Sequence, residues 1–230
     1  MRPLDPFKIC EGIYQVGGPD MTSPDDCCIY LVDLGYPVLI DAGAGKSWRK
    51  LLSNLERLGY SPRDLKLVVL THCHIDHVGG APFLSERYDV PLAIHELDAA
   101  AVEEGDNRRT AASWYGIDLP PFKVKRRLVE EGGVIEGGVS PLRWMHTPGH
   151  TPGSISLLAD NGLYKVLFGQ DIHGPFYASF GSDLDAWEAS MRKLLDLEAD
   201  ILCEGHFGIY RPASEVREYI EGYLQSYGKL

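Results

Sequence analysis

Apolar positions along the chain follow two different periods. Between residues 12 and 43 they come as short β-branched and aromatic runs, "GIYQVGG" at 12–18, "CIYLVDLG" at 28–35 and "PVLIDAG" at 37–43, punctuated by glycine and proline. Such runs predict strands, and the turns between them predict antiparallel neighbours. The period then changes: in "SWRKLLSNLERLGY" the residues Trp48, Leu51, Leu52, Leu55 and Leu58 repeat at helical spacing, with Gly59 where a C-cap would stand. "LKLVVL" at 65–70 is apolar almost throughout and predicts a buried strand. Farther on, "ELDAAAVEE" at 96–104 reads as a helix, and "GDNRRTAASWYGIDLPPF" at 105–122 reads as a surface excursion that could overhang a site.

The later part of the chain repeats the scheme. Strands are predicted near 141–147, 153–159 and 163–169, then a helix over "DLDAWEASMRKLLDL" capped by Ser182 or Asp183, a strand "ADILCEG", and a last helix "ASEVREYIEGYLQSYG". Two strand-rich halves, roughly 1–135 and 136–230, each closed by helices, imply α/β architecture with sheets packed face to face and helices outside. The expectation is a single folding unit over 1–230.

Composition narrows the classes. With 230 residues, 44% hydrophobic and 24% charged, the chain can bury a sizeable core. A formal charge of -11 and a pI near 5.1 argue against a general nucleic-acid binder, which needs a basic footprint. The dense basic cluster "VKRRL" at 124–128 reads as a solvated strand edge. Five unpatterned cysteines, Cys10, Cys27, Cys28, Cys73 and Cys203, do not make a disulfide framework and suit a reducing cytoplasm. "MRPLDPFKIC" lacks an apolar leader core, and no stretch approaches the roughly 20 apolar residues of a membrane span. A soluble, unprocessed protein acting on a small molecule is expected; a homodimer is compatible with these features.

Candidate chemistry concentrates in "THCHIDHVGG", directly after "LKLVVL". On a helix, His72 and His74 would point about 200° apart. In an extended turn, residues two apart face the same side, and both imidazoles can reach one ion. Asp76 and His77 follow at the next bend and could address a second ion, while the glycines of "VGG" let the backbone turn tightly into the next helix. Further donors stand at other strand ends: His150 in "HTPGHTPGS", Asp171 after "YKVLFGQ", and His206 after "ADILCEG". That pattern is expected if the strands open onto one edge of the sandwich.

"THCHIDHVGG", "HTPGHTPGS", "LFGQDIHG" and "CEGHFG", in this order and spacing, resemble the metallo-β-lactamase fold hydrolases, in particular the glyoxalase II-like branch. The resemblance runs from "LIDAG" to "CEGHFG" and implies a four-layer αββα sandwich with the site at the edge where the halves meet. It further implies that His72, His74 and His150 bind a first metal, that Asp76, His77 and His206 bind a second, and that Asp171 bridges them. Asp41 in "LIDAG" matches an aspartate that supports the site from behind the ligands, or is a strand-ending turn residue. His173 could face the metal pocket as an acid or a substrate contact. Tyr177 lies near, though not at, the place where lactonases of this fold carry a tyrosine. His95 and His146 read as packing or supporting groups, and Trp114, Tyr115, Phe176, Tyr177 and Phe180 as pocket lining, core or interface.

Histidine and carboxylate donors without thiolate suit zinc, with iron or manganese as alternatives. Two ions sharing a hydroxide would hydrolyse an ester, thioester or lactone, with Asp76 and Asp171 as catalytic carboxylates and Asp76 passing a proton. Cys73 and Cys203 do not occupy the ligand position of cysteine-using β-lactamases, which speaks against β-lactam hydrolysis. The Gly-Arg-x-Asp segment of glyoxalase II is replaced by "QDIHGPFYASFGSD", and the extra helical domain that follows its last ligand would have to fit within 207–230. The alternative is a persulfide dioxygenase-like enzyme using one iron on His72, His150 and Asp171. Phosphodiester cleavage, as in nuclease members of the fold, fits the acidic charge less well.

Overall fold

A computed structural model of the chain describes residues 4–230. Its strands are β1 (Phe7–Cys10), β2 (Ile13–Gly17), β3 (Ile29–Val32), β4 (Val38–Ile40), β5 (Leu67–Val69), β6 (Leu92–His95), β7 (Arg126–Leu128), β8 (Gly132–Ile135), β9 (Leu142–His146), β10 (Ile155–Asp160), β11 (Lys165–Gln170), β12 (Ile201–Glu204) and β13 (Ile209–Tyr210). The helices are α1 (Trp48–Arg57), α2 (Ile75–Val78), α3 (Ala81–Tyr88), α4 (Glu96–Glu104), α5 (Leu184–Leu195) and α6 (Ala213–Ser226).

Strands β1 to β7 form one sheet in chain order, antiparallel from β1 to β4 and parallel from β4 to β7. The second sheet runs β13-β12-β11-β10-β9-β8, with only β11 and β12 parallel. The chain therefore enters the second sheet at β8, Gly132–Ile135. The "VKRRL" cluster ends in β7 at the edge of the first sheet, with Arg126 and Arg127 exposed.

Strand periodicity decides the layers. In β3, Ile29 and Leu31 join one apolar cluster while Tyr30 and Val32 join another, because successive side chains leave opposite faces. Tyr30, Ile40 and Val69 from the first sheet meet Trp144, Leu157 and Phe168 from the second, forming the core between the sheets. Outside the first sheet, Leu51, Leu55, Leu84 and Val102 from α1, α3 and α4 cover its far face. Outside the second, Trp187, Met191, Ile220 and Leu224 from α5 and α6 pack on Leu167 and Leu202. Helix, sheet, sheet, helix is the four-layer sandwich that the sequence predicts.

Three strands escape the sequence reading: β1, β8 and the two-residue β13. β8 is half glycine, while β1 and β13 are only four and two residues long, too short to show a strand period, and each is held by pairing with a neighbour. Asp183 is the α5 cap, its side chain accepting from the amides of Asp185 and Ala186. Trp48 through Leu55 form α1 as predicted, and Gly59 sits beyond its end at φ +87°, open to glycine alone without strain. No helix of the described residues is long and apolar enough to cross a membrane.

Candidate metal centre

The donors lie where strands end. Beyond β5 the chain stays extended, and His74 has φ -69° and ψ 146° as it enters the single turn α2. The glycines after that turn act differently from the sequence expectation. Gly79 (φ -59°) and Gly80 (φ -83°) have ordinary right-handed backbone, so the turn itself does not require them. They are required by close approach: a Cβ would stand 2.4 Å from the Ala44 carbonyl oxygen at Gly79 and 2.2 Å from that of Ala42 at Gly80. This contact seats α2 against the loop after β4, which carries Asp41.

Two groups of donors result, His72, His74, His150 and Asp171, and Asp76, His77, Asp171 and His206, the donor atoms of each within 4.8 Å of one another. All are buried except His206, which is partly accessible. Asp171 belongs to both. Its Oδ2 lies 3.5 Å from His150 Nε2 and 3.9 Å from His72 Nε2, while Oδ1 lies 3.2 Å from His77 Nε2 and 3.3 Å from His206 Nε2. Asp76 Oδ2 completes the second group, 3.5 Å from His77 Nε2 and 3.3 Å from His206 Nε2.

These residues fit metal ions. Four tetrahedral donors at about 2.0–2.2 Å from an ion stand about 3.3–3.6 Å from each other, close to the spacing of the second group. The Nε2 atoms of His72, His74 and His77 and Oδ1 of Asp171 are buried with no hydrogen-bond partner, a costly state that an ion would relieve. In the first group His150 Nε2 and His74 Nδ1 approach to 2.9 Å.

Outer hydrogen bonds aim the imidazoles. His77 Nδ1 faces Asp41 Oδ2 at 2.7 Å, and His150 Nδ1 faces the Pro175 carbonyl at 2.8 Å, which leaves Nε2 of each ring for an ion. Asp41 also accepts from the Thr71 amide and hydroxyl, both at 2.8 Å, and from Gln170. It does so in the left-handed region, φ +61°, fully buried. Strained backbone held by several bonds belongs with a supporting role rather than with a plain turn.

Protonation follows from this crowding. Burial keeps the His72, His74 and His150 imidazoles below their usual range and so neutral. Burial also disfavours charge on His77, but the Asp171, Asp76 and Asp41 carboxylates outweigh it and hold that imidazole well above its usual range. At His206 burial is again overcome, by Asp171 and Asp76, which raise it to about 10. Burial opposes ionisation of Asp171, yet the His206 and His77 imidazoles keep it far below the ordinary carboxylate range. Protons on His77 and His206 thus balance the carboxylates where a cation would otherwise do so.

Around the donors is a cavity of about 310 Å3 whose lining includes Asp76, Trp114, Tyr115, His173, Phe180 and Phe207. Trp114 and Tyr115 come from the excursion at 105–122, which does overhang the site. The Phe180 ring lies 4.3 Å from His74. Tyr177 does not line this cavity; it is 46% exposed and packs on Trp114 at 5.0 Å, and Tyr115 is the tyrosine facing the donors. Phe176 packs instead on Trp187 and Tyr227. His173 reaches the cavity with Nδ1 2.6 Å from Glu204 Oε1. His95 and His146 stack on each other, rings 4.0 Å apart, away from the donors.

Two carboxylates have no counterpart in the sequence reading. Asp98 on α4 is fully buried and accepts from Cys73 N at 2.9 Å, Gly153 N at 2.8 Å and Thr151 Oγ1 at 2.7 Å. It ties the His72–His74 loop to the His150 loop. Glu204, also fully buried, accepts from the amides of His206 at 2.5 Å and Phe207 at 2.8 Å and so shapes the His206 turn.

The family model of the metallo-β-lactamase superfamily matches residues 23–206. The acyl-coenzyme A thioesterase MBLAC2 of Gallus gallus is 35% identical over 158 residues, 59% of this chain and 53% of that protein, so the chain spans about half of it. The hydroxyacylglutathione hydrolase GloC of Haemophilus influenzae is 29% identical over 80% of this chain and 86% of that one. A B3 metallo-β-lactamase with an active-site glutamic acid superposes with TM-score 0.81 at 25% identity, over 99% of this chain and 90% of the other. The chain belongs to the metallo-β-lactamase superfamily, with the glyoxalase II-like GloC among its relatives. It is a metal-dependent hydrolase.

Proposed function

We propose that the protein hydrolyses an acyl thioester, ester or lactone of a small molecule at a dinuclear centre held by His72, His74, His150, Asp76, His77 and His206, with Asp171 shared. The observation that carries this reading is the division of Asp171, one oxygen toward each donor group. Bound there, two divalent ions, zinc before iron or manganese, supply Lewis acidity toward an acyl carbonyl and make water nucleophilic at neutral pH.

The chain's own groups do the rest. Asp41 and the Pro175 carbonyl fix the His77 and His150 rings, so little reorganisation is needed during turnover. Asp76 faces the cavity beside His206 and can take up and return a proton at its carboxylate. Trp114, Tyr115 and Phe180 wall the cavity and limit water around the acyl group. The likeness to a hydroxyacylglutathione hydrolase and an acyl-coenzyme A thioesterase puts thioesters first among substrates, and a cytoplasmic setting suits them. Metal-loaded protein should cleave a simple acyl thioester, and Asp171→Ala and Asp76→Ala should each lower turnover at least a hundredfold. Full turnover by Asp76→Ala, or by protein stripped of metal, would overturn the reading.

The full-length superposition on a B3 metallo-β-lactamase favours one competing substrate class, the β-lactams. A chromogenic cephalosporin assayed beside the thioester separates the two.

A further inference from the structure

A second concavity opens on the other side of His206 and Phe207. It is a groove of about 450 Å3 between β1, the loop after β2 and the turn joining β12 to β13. Its size is that of a ligand site rather than a surface dimple. Ile9 and Met21, 7% and 3% exposed, and half-buried Ile209 are apolar residues at its base. Leu4, Phe7 and Phe207, 56%, 40% and 57% exposed, flank it. Exposed apolar side chains gathered on one concave surface mark a binding site more often than a solvated face. Its polar lining includes Lys8, which is paired with Glu11, together with Gln15, Asp20 and Arg211, whose Nη1 donates to the Ile9 carbonyl at 3.4 Å.

What ties the groove to the chemistry is continuity. His206, a metal donor, and Phe207 line both this groove and the cavity around the donors. A substrate whose carbonyl carbon rests among the donors can lay a hydrocarbon chain across the His206–Phe207 turn. We propose that this groove binds the apolar acyl chain of the substrate, so that the protein acts on medium- and long-chain acyl thioesters or esters rather than on short or polar acyl groups. The proposal rests on the hydrolase reading and adds its substrate class. The acyl half is assigned here because six apolar side chains, Leu4, Phe7, Ile9, Met21, Phe207 and Ile209, line the groove beside its polar residues, and a hydrocarbon chain is what they would bury.

The test is a series of straight-chain acyl thioesters of one thiol, from acetyl to decanoyl, with the metal-loaded full chain. kcat/KM should climb about two- to fourfold per added methylene until the groove is filled, as expected for partial to full burial of each CH2. Phe7→Asp, which puts a charge on the groove wall, should lower the decanoyl-to-acetyl ratio of kcat/KM at least tenfold. Leu163→Asp, at a site 77% exposed outside the groove, should leave that ratio as it is. A second readout needs no turnover: in methyl-labelled protein, decanoate should shift the Met21 methyl signal, assigned through Met21→Leu, and acetate should not. A flat series in which the acetyl compound is still hydrolysed, or a Met21 signal unmoved by decanoate, overturns the acyl groove and leaves the hydrolase reading standing. Failure to cleave any acyl thioester, and likewise the matching esters and a lactone, overturns the hydrolase reading, and the Met21 signal then still decides whether the groove takes a hydrocarbon chain.

Discussion

Asp98 offers the sharpest perturbation, because it touches neither substrate cavity yet joins two donor loops. Asp98→Ala removes the acceptor for the amides of Cys73 and Gly153 and for the Thr151 hydroxyl. The hydroxyl keeps a partner in Ser154 Oγ at 2.8 Å, so two buried N–H groups are left unpaired. At about 1–3 kcal/mol for each orphaned donor, the metal-free protein should lose about 2–6 kcal/mol in urea unfolding. That is a large share of the about 5–15 kcal/mol available to an ordinary domain. Asp98→Asn keeps one acceptor oxygen and should lose about half as much. Cys73 lies between His72 and His74, and Thr151 follows His150, so the damage is directional. Zinc affinity at the His72, His74 and His150 group should fall about 10–100-fold in chelator competition, the range seen when support behind a ligand is removed, and the Asp76, His77 and His206 group should be affected less. A loss under about 1 kcal/mol with both affinities unchanged would refute the clamp.

Other expectations follow from single contacts. Gly80→Ala forces a Cβ to within 2.2 Å of the Ala42 oxygen and should destabilise by about 1–3 kcal/mol, although its φ is ordinary; a neutral result in thermal unfolding would mean the loop can yield. Asp41→Ala frees the His77 ring and should weaken the second group of donors about 10–100-fold, read as faster zinc loss to a chelator, and unaltered loss would contradict it. Without metal, His206 is raised from 6.5 to about 10 by Asp171 and Asp76 against the pull of burial. A raised histidine stabilises fully below the unfolded value, so the melting temperature of metal-free protein should fall as pH rises from about 6.5 toward 10. Zinc loading should flatten that slope, since the ions displace the protons.

The donors are legible in the sequence for a local reason. Four of them fall within six residues after a buried strand, and the other three stand in loops that follow strands, where the resemblance to metallo-β-lactamase fold hydrolases, and not the strand ends alone, singles them out. Alternation within strands likewise suffices for the layers. Asp98 is hidden because nothing near it in sequence separates it from a solvated acid, and only the fold buries it and hands it donors from distant loops; Glu204 ends the apolar run before His206, yet its bonds to the His206 and Phe207 amides depend on a turn that the sequence pattern does not specify. Tyr177 misleads for a related reason, since closeness in sequence to Asp171 does not decide which tyrosine faces the donors. Tyr115 reaches them from the 105–122 excursion, whose path no periodicity records. The "VGG" glycines are visible, but the need behind them, two backbones nearly touching, is a tertiary fact.

The central claim is that Asp171 serves two ions at once, and metal content tests it most directly. Protein purified without added metal or affinity tag, measured by elemental mass spectrometry, should carry close to two divalent ions per chain, one for each donor group, and Asp171→Ala should carry fewer. One iron per chain in the unmodified protein, with Asp76, His77 and His206 dispensable for its binding, would contradict the account.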